Sequence, residues 1–321
     1  MVIKEIIEYF ESMSERDYKK MQMKLTTDKE QELYALLYDF FHGKNYPKTI
    51  YHYTNFVALE GILCGEGLRM CRSDNMNDKK EVFNFVELAE KSLLKRFKGD
   101  QKKSIEIRNK FKQELAARKN DIAYLVSFST WCDDVSQWER YGNNGRGVNI
   151  AFNVNKLKDL VETKMVALQR VFYGKNADHH QLIDVLEDLF LQEQHVRWGF
   201  YQNDWKAVFD NMWAVSVAHK HSSFLSEQEY RLMTLPAWSG KRYDKLGDLF
   251  TVMTSSGPKE CLYLNWKEYC NNSQITYSDL ITGIIIGPRS NVKVSELQQW
   301  LTKIGMECLA KCVRKSNSPL I

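Results

Sequence analysis

Ile50-Tyr51-His52-Tyr53-Thr54 runs directly into Asn55-Phe56-Val57-Ala58-Leu59-Glu60-Gly61-Ile62-Leu63. The first five residues read as a short strand that carries a histidine into a turn. The residues after them read as an amphipathic helix from Val57 to Leu63, closed by Gly65 and Gly67. A single strand histidine has an ordinary reading, as a half-buried residue bonded to backbone. What else His52 does depends on the side chains that later strands bring beside it.

Working outward, Leu68–Arg72 is expected to be a second strand, followed by the turn-rich loop Ser73-Asp74-Asn75-Met76-Asn77-Asp78. Asn77 or Asp78 is placed to cap the next helix, with Glu81 at the capping-box position. Val82, Phe83, Val86, Ala89, Leu93 and Phe97 share one side of that helix. From Lys91 to Lys119 the chain is dense in Lys and Arg with Glu between them. That density reads as a helical hairpin laced with ion pairs or as a phosphate-binding face. Ile122–Ser129, Val148–Phe152, Leu168–Tyr173, Cys261–Leu264, Ile281–Ile286 and Glu307–Val313 are the further strands expected. Trp138 and Tyr141 lie three apart, so a helical turn would stack them on one side. Helical patterns run through Asp178–His221, where the histidines read as surface residues.

Glu227-Gln228-Glu229-Tyr230-Arg231-Leu232 is expected to enter a strand whose alternation sets Glu227, Glu229 and Arg231 on one face. Same-face Glu and Arg form an ordinary ion pair. They also suit a chemistry. Cleavage of an N-glycosidic bond passes through an oxocarbenium-like state, which a carboxylate stabilises. The same carboxylate can accept a hydrogen bond from a ribose 2′-hydroxyl, while a histidine holds ribose hydroxyls and aromatic rings sandwich a flat heterocycle. No metal is called for.

Size and composition frame this reading. The chain has 321 residues, a 44% apolar fraction, few Pro and Gly, and a net charge of +4. It is long enough to bury a sizeable core, and its charge is too small to argue nucleic-acid binding by itself. The seven cysteines form no Cys-x-x-Cys pair and have no histidine at zinc-ligand spacing. Reduced thiols in a cytoplasmic protein are the plain reading. No apolar run is long enough to span a membrane. Gly-rich phosphate loops, nucleophile elbows and EF-hand loops are missing from the sequence. Strands and helices mix without β–α alternation, so the fold class expected is α+β. Residues 1–46 read as a helical N-terminal extension, which would dock a partner or cover one side of the core. Residues 47–321 read as the main domain, with helical insertions at about 82–120 and 178–221.

The ordered set from the Ile50–Thr54 strand through Ser73…Asn77-Asp78, Ser127-Phe128-Ser129, Trp138…Tyr141-Gly142, Glu227–Leu232 and Ile284–Arg289 resembles the bacterial DUF2971 family. Its opening also looks like that of the DarT-like DNA ADP-ribosyltransferases and, more broadly, of the His-type ADP-ribosyltransferases. That resemblance implies a split β-sheet core that takes NAD as substrate. His52 would meet the ribose, with Tyr53, Thr54 and Arg231 also in the cofactor site. Glu229 would be catalytic, in a Glu-x-Glu arrangement with Glu227 positioning the acceptor. The bridging NAD contact would come from Ser73, Asn77, Trp138 or Tyr141. By the same analogy the acceptor is a nucleic acid or a protein, and the setting is a toxin or anti-phage defence. Two other readings keep the cleft: a non-catalytic module sensing a nucleotide or nucleic-acid end, and a nuclease that recruits a metal to Glu227, Glu229 and Asp78.

Overall fold

The computed structural model describes residues 46–65, 67–75, 81–118, 122–161, 166–174, 183, 186–187, 190–191, 205–234, 249–254, 257–265 and 276–320. The stretch 1–45 read above as a helical extension, Asn77, Asp78 and most of the 178–204 stretch lie outside them. In chain order the elements are β1 (Thr49–Thr54), α1 (Phe56–Leu63), β2 (Leu68–Arg72), a 3-10 turn (Ser73–Asn75), α2 (Glu81–Arg96), α3 (Gln101–Ala117), β3 (Tyr124–Ser129), α4 (Val135–Arg140), β4 (Val148–Asn153), α5 (Val154–Val161), β5 (Ala167–Arg170), β6 (Phe172–Tyr173), α6 (Trp205–Val217), β7 (His219–Lys220), a 3-10 turn (Ser222–Glu227), β8 (Glu229–Thr234), β9 (Leu249–Thr254), β10 (Gly257–Leu264), α7 (Tyr277–Leu280), β11 (Ile281–Ile286), α8 (Val294–Lys303), α9 (Glu307–Ala310) and β12 (Val313–Lys315).

This is an α+β fold around a mostly antiparallel sheet, in the order β12-β11-β4-β1-β3-β2-β10-β9, with β8 also on β3 and β5 beyond it. The sheet branches at β3. One edge of β3 pairs with β8 along its whole length, from Tyr124 opposite Thr234 to Ser129 opposite Glu229. The other edge is shared. β2 pairs only with its start, at Tyr124 and Leu125. β1 meets only its end, where Tyr51 faces Ser129. Between those contacts β1 and β2 diverge, and Val126–Phe128 face the gap.

Burial explains why these segments fold this way. Ile50, Phe128, Ile150, Phe152, Leu232, Ile284 and Ile286 form one apolar sheet face, on which Leu59, Ile62 and Leu63 of α1 and Leu297 and Leu301 of α8 pack. Apolar surface removed from water at about 25 cal/mol per Å² makes this the main source of stability. Helix α1 is started by Asn55, whose side chain accepts from Ala58 N–H at 2.8 Å. The Lys- and Arg-rich segment forms the α2–α3 hairpin. Its cations pair within the helix, as Lys103 with Glu106 and Lys110 with Glu114, and Arg118 reaches across to Asp210 of α6 at 2.6 Å.

Several expected elements differ. Residues 307–313 are helix α9 followed by a three-residue strand, because Leu309 and Ala310 are buried on consecutive positions of a helical turn rather than in alternation. Leu168–Tyr173 breaks into β5 and β6, which join different sheets. His219 is a buried residue of β7 beside Phe85, and His221 caps the following 3-10 turn; neither lies on a helix surface. Strand β9 was not expected from sequence.

Candidate functional site

The divergence of β1 and β2 opens a cleft of about 370 Å³, floored by β3 and roofed by Ala58, Gly61 and Ile62 of α1. That volume falls in the range of small-molecule sites. His52 reaches into the gap. Its Nδ1 stands 2.9 Å from the Ser127 carbonyl, on the stretch of β3 that neither neighbouring strand covers. A carbonyl only accepts, so Nδ1 carries the proton and Nε2 keeps its lone pair. Burial lowers the pKa of His52, and the Ser127 bond offsets this only in part. The neutral imidazole therefore has a fixed tautomer and one acceptor nitrogen available in the cleft.

The facing wall is charged. Glu227 ends the 3-10 turn, Gln228 takes a left-handed conformation (φ 44°, ψ 52°), and Glu229 starts β8. The end of β3 holds this corner: Ser129 Oγ donates to the Glu227 carbonyl at 2.8 Å and Thr130 N–H donates to the Gln228 carbonyl at 3.1 Å. Lys220 of β7 sits between the carboxylates, 2.7 Å from Glu227 Oε2 and 2.6 Å from Glu229 Oε2. Arg231 Nε donates to Glu229 Oε1 at 2.8 Å. Arg140 Nη1 and Tyr141 OH both donate to Glu227 Oε1, at 3.0 and 2.9 Å. Tyr173 OH accepts from the Glu229 N–H at 2.8 Å. Burial alone would raise the Glu229 pKa, but Arg231 and Lys220 overcome it and hold the carboxyl at about 2. Burial, and then the charge of Glu227, push the Tyr141 phenol up.

His52, Tyr53, Thr54, Tyr141, Glu227 and Glu229 all line this one cleft. The other predicted residues stand elsewhere or act differently. Trp138 is fully buried. Its ring meets Tyr53 edge-on at 4.9 Å, and its Nε1 donates to Asp133 at 2.7 Å. It is a packing residue, and it does not share a side with Tyr141, which is 40% exposed. Helix α4 ends at Arg140, so Tyr141 sits at its C-cap and leaves the helical stripe. Tyr53 turns its hydroxyl to the loop after β3, donating to the Trp131 carbonyl at 2.8 Å and accepting from Asp134 N–H at 3.1 Å. Ser73 is buried outside the cleft. Its backbone N–H donates to the Ala123 carbonyl and its Oγ accepts from the Ala123 N–H, which ties the end of β2 to the start of β3. Arg231 is fully buried, with Nη1 also donating to the Val217 carbonyl; it holds Glu229 from behind. Glu227 is not on a strand, yet the Gln228 turn keeps both carboxylates on Lys220.

Sequence reasoning missed Lys220, Arg140 and Tyr173, and also Arg69, Cys71 and Tyr263 from the β2–β10 wall. No local motif marks Lys220. A lysine directly after a helix reads as solvated, and only the pairing of β7 with β6 brings it inward. Among the described residues, no three His, Cys, Asp or Glu side chains group as metal ligands, and no helix is long and apolar enough to cross a membrane.

Residues 137–232 match the model of the DUF2971 family, described as a protein of unknown function. That span runs from α4 through β8, so it holds Tyr141, Lys220 and the Glu227–Arg231 corner but not β1. The likeness of the β1 strand to the DarT-like enzymes therefore rests on its residues alone. No curated protein and no solved structure matches the chain.

Proposed function

We propose that this cleft binds NAD and that the protein transfers ADP-ribose from it to a macromolecule, a nucleic acid or a protein, or hydrolyses it. The observation that carries this reading is the convergence of His52 with Glu227 and Glu229 on one cleft from segments far apart in sequence. His52 Nε2 would accept from a ribose hydroxyl. Glu229 stays ionised at neutral pH, which suits it to stabilise positive charge at the anomeric carbon as nicotinamide departs. A carboxyl with so low a pKa is a weak base, so it would not be the group that takes a proton. Glu227, the nearer to exposed Arg140 and Tyr141, would receive the proton of the incoming hydroxyl or water.

A second reading has its own support. Both Glu229 oxygens are engaged by Arg231 and Lys220, an arrangement that also suits a rigid nucleotide-sensing pocket without turnover. Incubation of the protein with carbonyl-labelled and adenine-labelled NAD, with and without cell lysate, separates the two. Transferase or hydrolase activity releases nicotinamide, and His52→Ala reduces that release by roughly tenfold or more while still melting cooperatively. A melting shift with NAD but no release supports the sensor. Neither release nor shift removes both readings. A toxin or anti-phage role follows from the family analogy and would show as growth arrest on expression that His52→Ala relieves.

A further inference from the structure

Cys71 of β2 and Cys261 of β10 are direct cross-strand partners in the antiparallel ladder. Their sulfurs stand 3.7 Å apart, in contact but not bonded. Directly opposed residues of an antiparallel pair have Cα atoms about 4.5 to 5.5 Å apart, inside the span that a disulfide bridges. Cys71 lines the cleft and is half-buried, whereas Cys261 is buried behind it. The pair lies next to Arg69 and Tyr263, which are themselves cross-strand partners joined by a 3.0 Å hydrogen bond.

We propose that Cys71 and Cys261 are a reversible oxidation site in the cleft wall, closed to a cross-strand disulfide by low-molecular-weight disulfides. The site does not depend on the nucleotide reading. Cys71 is the attacking sulfur because it is the one that faces the cleft. The hydrogen bond with Cys261, and then the charges of Arg69 and Lys259, hold its thiol at about 7 against the effect of burial, while the buried Cys261 is pushed up. The Cys71 thiolate attacks one sulfur of the reagent, forming a mixed disulfide and expelling one thiolate. Cys261 then gives up its proton to solvent and attacks the Cys71 sulfur, expelling the second thiolate. The protein loses two electrons and two protons, and the reagent gains both as two thiols. The closed bond withdraws the Cys71 sulfur from the cleft surface and fastens β2 to β10, the strands carrying Arg69 and Tyr263.

Full-length protein is incubated with oxidised glutathione, blocked with N-ethylmaleimide and mapped by peptide mass spectrometry. The expected product is a Cys71–Cys261 linked peptide that dithiothreitol reverses. In Cys261→Ser the second step is blocked, so the glutathione adduct on Cys71 should exceed that of the wild type by about tenfold or more. Wild-type protein that accumulates the Cys71 adduct without the linked peptide would overturn the proposal, as would oxidation confined to exposed Cys64, Cys132, Cys308 and Cys312. The wild-type measurement needs no variant, so a folding defect in Cys261→Ser cannot obscure the result.

Discussion

The two sides of the cleft are built by opposite means. On the β1 side, His52 is held by one hydrogen bond to a carbonyl that the branching sheet leaves uncovered. On the β8 side, Glu227, Glu229, Lys220 and Arg231 hold one another in a buried network in which each charge has at least one partner of opposite sign. A neutral group placed by a single bond is replaceable at small cost. A charge placed inside a network is not, because removing one member leaves the others buried without compensation. The His52 side can therefore be tested by substitution with the fold intact, and the Glu229 side tests the fold first.

The largest effect expected is for Arg231→Met. It removes one of the two cations that hold buried Glu229, leaving Lys220, and takes the Arg231 bond from the Val217 carbonyl at a fully buried position, at a cost of about 3 to 5 kcal/mol in urea denaturation. Gly147→Ala should come next and probes the frame rather than either wall. A Cβ there would stand 2.0 Å from the Thr54 carbonyl oxygen at the end of β1, and backbone cannot swing aside, so a loss of about 3 kcal/mol is expected. A cost near zero for either variant would break the picture of a rigid branched sheet.

The contrast also has a pH signature. The folded pKa of Glu229 is depressed to about 2, below its unfolded value of about 4.3. Its contribution is therefore fully present above about pH 4.3 and is lost as pH falls toward 2, and Glu229→Gln should flatten the stability profile in that window. His52 also has a lowered pKa. The stability linked to its neutral form is present above about pH 6.5 and declines as pH falls below that value. His52→Ala should cost only about 1 kcal/mol, the worth of one hydrogen bond. If it costs as much as Arg231→Met, His52 belongs to the scaffold and not to a ligand site. The smallest effect expected is for Arg140→Ala. Its side chain is 51% exposed, so its bond to Glu227 should be worth no more than about 0.5 kcal/mol in a double-mutant cycle with Glu227→Gln.

Much of the frame was legible in the residues. The alternating or continuous apolar runs at Tyr124–Ser129, Val148–Asn153 and Ile281–Ile286 are strands because both sheet faces are covered there. The site was legible by half. His52 was readable as a polar side chain among the aromatic and apolar residues of a strand, and Tyr141, Glu227 and Glu229 because each falls at a turn or the end of an element. Trp138 misled because spacing of three places two residues on adjacent turns without saying where the helix stops, and here it stops between them. Ser73 and Arg231 misled because a polar residue near a predicted site looks the same whether it meets a ligand or ties backbone together.

What the sequence by itself determined is therefore local: which stretches extend or coil, and where a histidine and a pair of glutamates sit along them. Only the tertiary structure decided that β1 and β2 part on the same edge of β3, that the parting uncovers the Ser127 carbonyl for His52, and that Lys220 joins the two glutamates. The reason is physical. Side-chain pattern is set by each segment's own burial, whereas the sheet's branch point depends on pairings between distant strands, Cys71 with Leu125, Tyr51 with Ser129 and Ser129 with Glu229, and the inward placement of Lys220 depends on β7 pairing with β6, which no local period records.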